Sequence, residues 1–195
     1  MTARAGIQLL ATLFVAIYST LPTFWLVVHP WARRNRNAGK VPYVLALPVW
    51  ALFACLAFSL AWHFHELLLY ENWAAWIPGV AFILMGFAIY RRAFHDFDRN
   101  IVSGLTELNP AGHDQRLIIT GTRSQVRHPI YLGHFCETFG WCVGTGSFAL
   151  MALLAFGVAT GALMIREEER ELEQRFGERF REYQQRVPAF LPGKR

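Results

Sequence analysis

Four stretches of this sequence are nearly free of charge: residues 7–28, 41–62, 73–90 and 129–165. An α-helix needs about twenty apolar residues to cross the hydrocarbon core of a bilayer. The stretches therefore predict an all-α integral membrane fold. Composition agrees with this. Hydrophobic residues make up 54% of the 195 positions and charged ones 17%, against about half and a quarter in ordinary soluble domains. The length suits a single membrane domain over 1–195.

The fourth stretch is too long for one upright helix. Written as a single helix it would reach roughly 55 Å, against a core of about 30 Å. Gly144-Thr145-Gly146-Ser147 interrupts it with residues that turn tightly. The sequence thus predicts five transmembrane helices, the last two a short hairpin, followed by a cytoplasmic amphipathic helix. Three helices fall within 1–92, a cytoplasmic loop within 93–128, the hairpin within 129–165, and the amphipathic helix and tail within 166–195.

Charge sets the expected orientation. The first loop, Arg33-Arg34-Asn35-Arg36 through Lys40, is basic. The second carries Glu66 and Glu71 without Lys or Arg, the third is rich in arginine, the Gly144–Ser147 turn is uncharged and the tail is arginine-rich. Under the positive-inside rule this alternation is expected to put the N-terminus outside and the C-terminus in the cytoplasm. Residues 1–28 lack the features of a cleaved signal peptide. The net charge of +5 sits beside apolar segments, so the expected partner is an anionic bilayer face and not nucleic acid. Cys55, Cys136 and Cys142 lie in apolar segments and read as buried hydrophobes.

Two polar segments flank the hairpin. In the third loop, Asn109-Pro110-Ala111-Gly112-His113-Asp114 reads as a turn, and Leu117-Ile118-Ile119-Thr120-Gly121 as an extended stretch. After the hairpin, Leu172, Phe176, Phe180, Tyr183 and Val187 recur at helical spacing. Gly177 weakens that helix in its middle. Val187-Pro188 ends it and can return Ala189-Phe190-Leu191 toward the membrane.

Arg127-His128-Pro129-Ile130-Tyr131-Leu132-Gly133 precedes the hairpin, and Glu167-Glu168-Glu169-Arg170-Glu171-Leu172 follows it. These residues, with Phe176-Gly177, Tyr183 and Val187-Pro188, resemble the C-terminal half of isoprenylcysteine carboxyl methyltransferases. Phospholipid N-methyltransferases and many bacterial relatives share the pattern, and those relatives imply a bacterial inner membrane. The resemblance covers roughly residues 115–192. It implies a membrane enzyme that moves a methyl group from S-adenosylmethionine to a lipophilic small-molecule or lipidated acceptor, releasing S-adenosylhomocysteine.

Carried over by position, the resemblance implies cofactor contacts at Gln115, Arg116, Leu117 and Ile118, at His128, Pro129, Ile130 and Tyr131, and at Glu168. It implies catalytic roles for Glu168 and Arg127. Two positions depart from the pattern. Arg123 stands where the family has a tyrosine, and Met164 stands where it has an acceptor-binding arginine.

The residue chemistry is compatible. A carboxylate at Glu168 accepts hydrogen bonds from a ribose or an ammonium group. His128 and Arg127 can meet a carboxylate or order the loop. Tyr131 offers a ring face to a sulfonium or an adenine. Interfacial anchoring is the plain alternative for Arg127, His128 and Tyr131. Glu137 is charged inside a span, with His134 on the same helical face. Together with Met164 these are the candidate substrate residues, and a structural His–Glu pair is the plain alternative. His63, His65 and Glu66 lack metal-ligand spacing, so no metal is expected. A reading from another class remains, a non-catalytic membrane scaffold or small transporter that keeps the fold.

Overall fold

The computed structural model describes residues 3–34, 41–96 and 116–191. Its described elements are helical. They are α1 (Ala3–Arg34), α2 (Val41–His63), α3 (Trp76–Asp96), α4 (Pro129–Thr145), α5 (Phe148–Phe176) and α6 (Glu178–Arg186), with short 3-10 turns at Trp73–Ala75 and Gly121–Ser124. Four helices are long and apolar enough to cross a membrane: Ala3–Trp31, Val41–His63, Trp73–His95 and Phe148–Phe176. The helix α4 has 17 residues. The expected turn at Asn109–Asp114 and the candidate residue Gln115 lie outside the described residues.

Large apolar side chains cover the outside of these helices. On α2, Val44, Leu47, Val49, Leu52, Leu56 and Leu60 are all exposed. In water such a surface would aggregate; in lipid it is solvated by like material. This is the exterior of a membrane protein.

The centre is organised by α1, which packs on α2, α4 and α5. The partner of α3 is α4, and glycine sets how closely they approach. A Cβ at Gly79 would lie 2.8 Å from the Gly140 carbonyl oxygen, and one at Gly86 would lie 2.7 Å from that of Gly133. Small residues let two backbones touch where no hydrophobic force drives helices together in lipid.

One end of the molecule is fixed by the segment after α2. Leu69 N–H donates to the Gly146 carbonyl at 2.8 Å, and Phe148 N–H donates to that of Leu67 at 3.0 Å. Arg4 pairs with Glu71, and Gln8 donates to the His65 carbonyl at 2.9 Å. The junction of α4 and α5 therefore lies beside the start of α1. Gly146 caps α4 at φ 65°, in the left-handed region, where a side chain is strained. The thiol of Cys142 reaches the Leu150 carbonyl across this junction. The other ends of α4 and α5 meet at His128 and Glu169.

The stripe expected as a separate amphipathic helix is divided otherwise. The first part, Leu172 and Phe176, belongs to α5, which runs unbroken from Phe148. The break comes at Gly177, at φ 57° and ψ −130°, a conformation suited to glycine. Leu172, Phe180, Tyr183 and Val187 pack with Phe176 around Leu117. Leu117 through Ile119 forms no regular element, and its apolar side faces this cluster.

Candidate functional site

The polar clusters on either side of α4 and α5 converge. Pro129 opens α4 at the position where a missing N–H costs nothing. This leaves Arg127 and His128 just ahead of the helix, level with Glu168 and Glu169 far along α5. The chain after α6 closes the site from the side. Arg127 N–H donates to the Pro188 carbonyl at 2.9 Å, and His128 N–H to the Ala189 carbonyl at 3.1 Å.

Glu169 is held on both oxygens. Its Oε1 receives Arg127 Nε at 2.8 Å and lies 2.9 Å from His128 Nε2. Its Oε2 receives Gln184 Nε2 at 2.9 Å. Arg127 Nη1 donates to the carbonyls of Gln184 and Val187, and its Nη2 lies 2.7 Å from Glu169 Oε1. All these partners are protein groups, so Arg127 acts in this structure as a staple joining α5, α6 and the tail.

Glu168 differs. It is buried, and its Oε2 accepts no hydrogen bond among the described residues. His128 Nδ1 stands 3.7 Å away, an ion-pair distance longer than a hydrogen bond. Tyr131 hydrogen-bonds to Glu168, and His29 and Arg123 are close enough to act on its charge. A buried carboxylate oxygen that accepts no protein hydrogen bond can take a donor from a ligand. It fits a group with ribose hydroxyls or an ammonium.

Tyr131 joins this polar site to an apolar cavity. Its ring stacks on His128 with centroids 5.6 Å apart, and it also lines a cavity of about 360 Å³. Tyr18, Pro22 and Trp25 of α1 form one wall of the cavity. His134 and Phe135 of α4 and Gly161 and Met164 of α5 line its other sides, and the cavity is partly open to the outside. Phe190 and Leu191 lie at its edge, held there by the backbone bonds at Pro188 and Ala189. Among the described residues, no Lys, Arg, Asp or Glu lines it.

The candidate substrate residues separate. His134 lines the cavity, between the rings of Tyr18 and Tyr90 at 4.6 and 4.8 Å. Met164 lines it too and is 2% exposed. Glu137 does not. It is buried against α3, where a Cβ on Gly86 would come 2.5 Å from its Cγ. Both residues nonetheless stand near Tyr18 and α3: His134 packs on Tyr90, and Glu137 is close enough to Tyr18 to act on its phenol.

Of the other expected contacts, Pro129 is buried at the start of α4 and Ile130 is half-buried. Leu117 lies in the apolar cluster under α6, with Leu172 of α5. Arg116 is exposed and Ile118 half-buried. Tyr183 donates to the Arg123 carbonyl at 2.7 Å, and burial pushes its phenol up to about 12. Among the described residues, no three His, Cys, Asp or Glu side chains are grouped to hold a metal ion.

Sequence reasoning missed two contributors. Gln184 looked like part of a solvated helical face. His29 sits in Val28-His29-Pro30, is 3% exposed, and stacks on Trp25 at 5.2 Å. A polar residue just inside the basic end of the first span was the available signal.

Three similar proteins share part of this sequence. The nickel-cobalt-cadmium resistance protein NccN of Alcaligenes xylosoxydans xylosoxydans is 39% identical over 77 residues, which is 39% of this chain and 36% of that protein. The cobalt-zinc-cadmium resistance protein CzcN of Cupriavidus metallidurans is 39% identical over 77 residues, or 39% of this chain and 35% of that protein. The Delta(14)-sterol reductase TM7SF2 of Mus musculus is 33% identical over 89 residues, or 45% of this chain and 21% of that protein. The matched part thus spans about a third or less of each relative. No family model matches the chain, and no solved structure matches it.

Proposed function

We propose that this protein is a membrane-embedded S-adenosylmethionine-dependent methyltransferase acting on a lipophilic acceptor. The observation that carries the reading is the sharing of Tyr131 between a buried polar site and an uncharged cavity. A methyl donor with charged and polar parts and an apolar acceptor need adjoining sites of these two kinds. The resemblance of residues 115–192 to isoprenylcysteine carboxyl methyltransferases supports the same reading.

The bound cofactor supplies a methyl group on a sulfonium. The protein residues have three tasks. Glu168 accepts hydrogen bonds from the ribose or ammonium group with its open oxygen. Tyr131 presents a ring face at the junction of the two sites. Arg127, Glu169 and Gln184 hold the tail across the site, so that Phe190 excludes water from the junction. Transfer of this kind is an in-line displacement, for which positioning and exclusion of water are the main contributions.

In the proposed topology the five helices α1 to α5 all cross. The last two form a hairpin about Gly146, and Glu168 lies at the cytoplasmic end. The acceptor is neutral or carries an amine, because Met164 stands where a carboxylate would need a cation. An unpaired carboxylate at membrane depth costs several kcal/mol. A phospholipid amine is the nearest alternative to a prenylcysteine acid.

Calorimetry of the detergent-solubilised protein with S-adenosylhomocysteine tests the reading, followed by a labelled-methyl screen over lipid acceptors. Saturable binding and label transfer are expected; absence of both would refute it. The similarity to a sterol reductase favours a second reading, hydride transfer to a lipophile. Binding of a reduced nicotinamide dinucleotide in place of S-adenosylhomocysteine would select that reading. Binding of neither would favour a non-catalytic scaffold or transporter.

A further inference from the structure

Two glycines of α5 face α1 one helical turn apart, and their surroundings are opposite. A Cβ on Gly157 would lie 2.8 Å from Ser19 Cα and 3.0 Å from its Cβ. Gly157 is therefore required by the contact of the two helices. A Cβ on Gly161 would meet one atom, Pro22 Cγ, at 3.8 Å, an ordinary contact. Gly161 is helical and is not among the glycines with positive φ, which are Gly121, Gly146 and Gly177. Neither packing nor backbone conformation requires glycine at 161, and glycine is a poor helix former. What its missing side chain provides is room, since Gly161 and Pro22 both line the cavity.

We propose that Gly161 determines the size of the ligand this cavity accepts, and that the ligand is a neutral lipophile whose body lies between Pro22 and Gly161. The assignment of acceptor to this cavity rests on the proposed methyl transfer. Neutrality follows from the walls, in which no Lys, Arg, Asp or Glu side chain stands among the described residues. A charged group lodged there would lack a counter-ion. The rings of Tyr18, Trp25, Tyr131, Phe135 and Phe190 around the space suit an unsaturated or ring-bearing body. The end of the ligand beside Tyr131 and Phe190 is the end brought to the polar site.

The test uses the full chain in phosphatidylcholine vesicles and a photoreactive diazirine analogue of farnesol, a neutral prenyl alcohol. Labelled residues are mapped by mass spectrometry. Tyr18, Trp25 and Phe135 should be labelled in the wild type and in Gly161→Ala, and excess farnesol should suppress the label more than the carboxylic acid of the same length. In Gly161→Leu the cavity label should fall roughly tenfold, because the new side chain fills space that the ligand needs. Labelling of the outward residues Leu52 and Leu56 on α2 serves as the lipid control and should not change. Gly161→Val gives an intermediate loss and supplies the reading if Gly161→Leu fails to fold. Gly157→Ala should lower the thermal midpoint while Gly161→Ala should not.

Equal cavity labelling in the wild type and a folded Gly161→Leu or Gly161→Val would overturn the proposal. So would a wild-type cavity that takes no label, or one that prefers the acid. S-adenosylhomocysteine binding is measured on the same samples and should match across the Gly161 variants. Its absence from the wild type would refute methyl transfer while leaving the labelling result to judge the cavity.

Discussion

Glu168 and Glu169 are consecutive on α5, so they point about 100° apart, and their surroundings differ accordingly. Glu169 meets Arg127, His128 and Gln184, whereas Glu168 keeps one buried oxygen open. Glu168→Ala should weaken S-adenosylhomocysteine binding by about 1.5–3 kcal/mol, the worth of a charge-assisted hydrogen bond, with a smaller loss of thermal stability than Glu169→Ala. Calorimetry and a melting curve together check this. Glu169→Ala should act the other way. It leaves Arg127 buried without its carboxylate, and breaking such a pair costs about 3–5 kcal/mol. The midpoint of denaturation should fall before any ligand is added. Tyr183 gives a pH-dependent counterpart. Burial raises its phenol from 10.0 to about 12, so the folded state holds this proton more tightly than the unfolded one. Its contribution is complete below pH 10.0 and is lost as pH rises through about 12. Tyr183→Phe should therefore lose stability less steeply over that interval, as read by denaturation at each pH. In the sequence, three successive glutamates look equivalent. Only the return of α6 and the tail distinguishes them.

Among the elements, α3 and α4 have the tightest interface, and it depends on Gly79, Gly86, Gly133 and Gly140. A Cβ at Gly140 would lie 2.5 Å from the Gly79 carbonyl oxygen and 2.8 Å from Ile83 Cγ1. Gly140→Leu should separate the helices and cost about 1–3 kcal/mol or more as overpacking, seen as a lower thermal midpoint in detergent. Glu137 lies in the same interface. Glu137→Gln should accordingly leave methyl-transfer rates unchanged for both farnesylcysteine and phosphatidylethanolamine acceptors. A clear fall in either rate would return Glu137 to the acceptor site. The ends of α4 were legible beforehand, since Pro129 and Gly146 are residues with fixed roles at helix starts and stops. The extent of α5 was not. Its polarity changes at Arg166, but the backbone hydrogen-bond ladder continues to Phe176, because charged residues are themselves good helix formers.

At the scale of the molecule, the described contacts put the start of α1, the end of α2 and the junction of α4 with α5 at one end. The Arg127–Glu169 cluster lies at the other ends of α4 and α5. This arrangement is consistent with the alternation of basic and non-basic loops in the sequence. Reporter fusions after residue 39, after residue 72 and at residue 195 should report cytoplasm, outside and cytoplasm. An outside report at residue 195 would contradict the proposed crossing of α4 and α5.

Some of this protein follows from the order of its residues alone. Long uncharged runs leave lipid as the only favourable surroundings, and glycine and proline mark where the chain can turn. Local chemistry therefore predicted a helical membrane protein and the two polar clusters beside its last helices. It did not distinguish between partners. His134 and Glu137 share a helical spacing, yet one lines the cavity and the other lies against Gly86. Arg127 and Glu168 both looked reactive, yet Arg127 binds Glu169 and two carbonyls while one oxygen of Glu168 accepts no hydrogen bond among the described residues. Such differences depend on which side chains pack against each residue, and contacts between residues distant in the chain decide that. His29 and Gln184 joined the site for the same reason. Their neighbours come from other helices, so only the tertiary packing could reveal them.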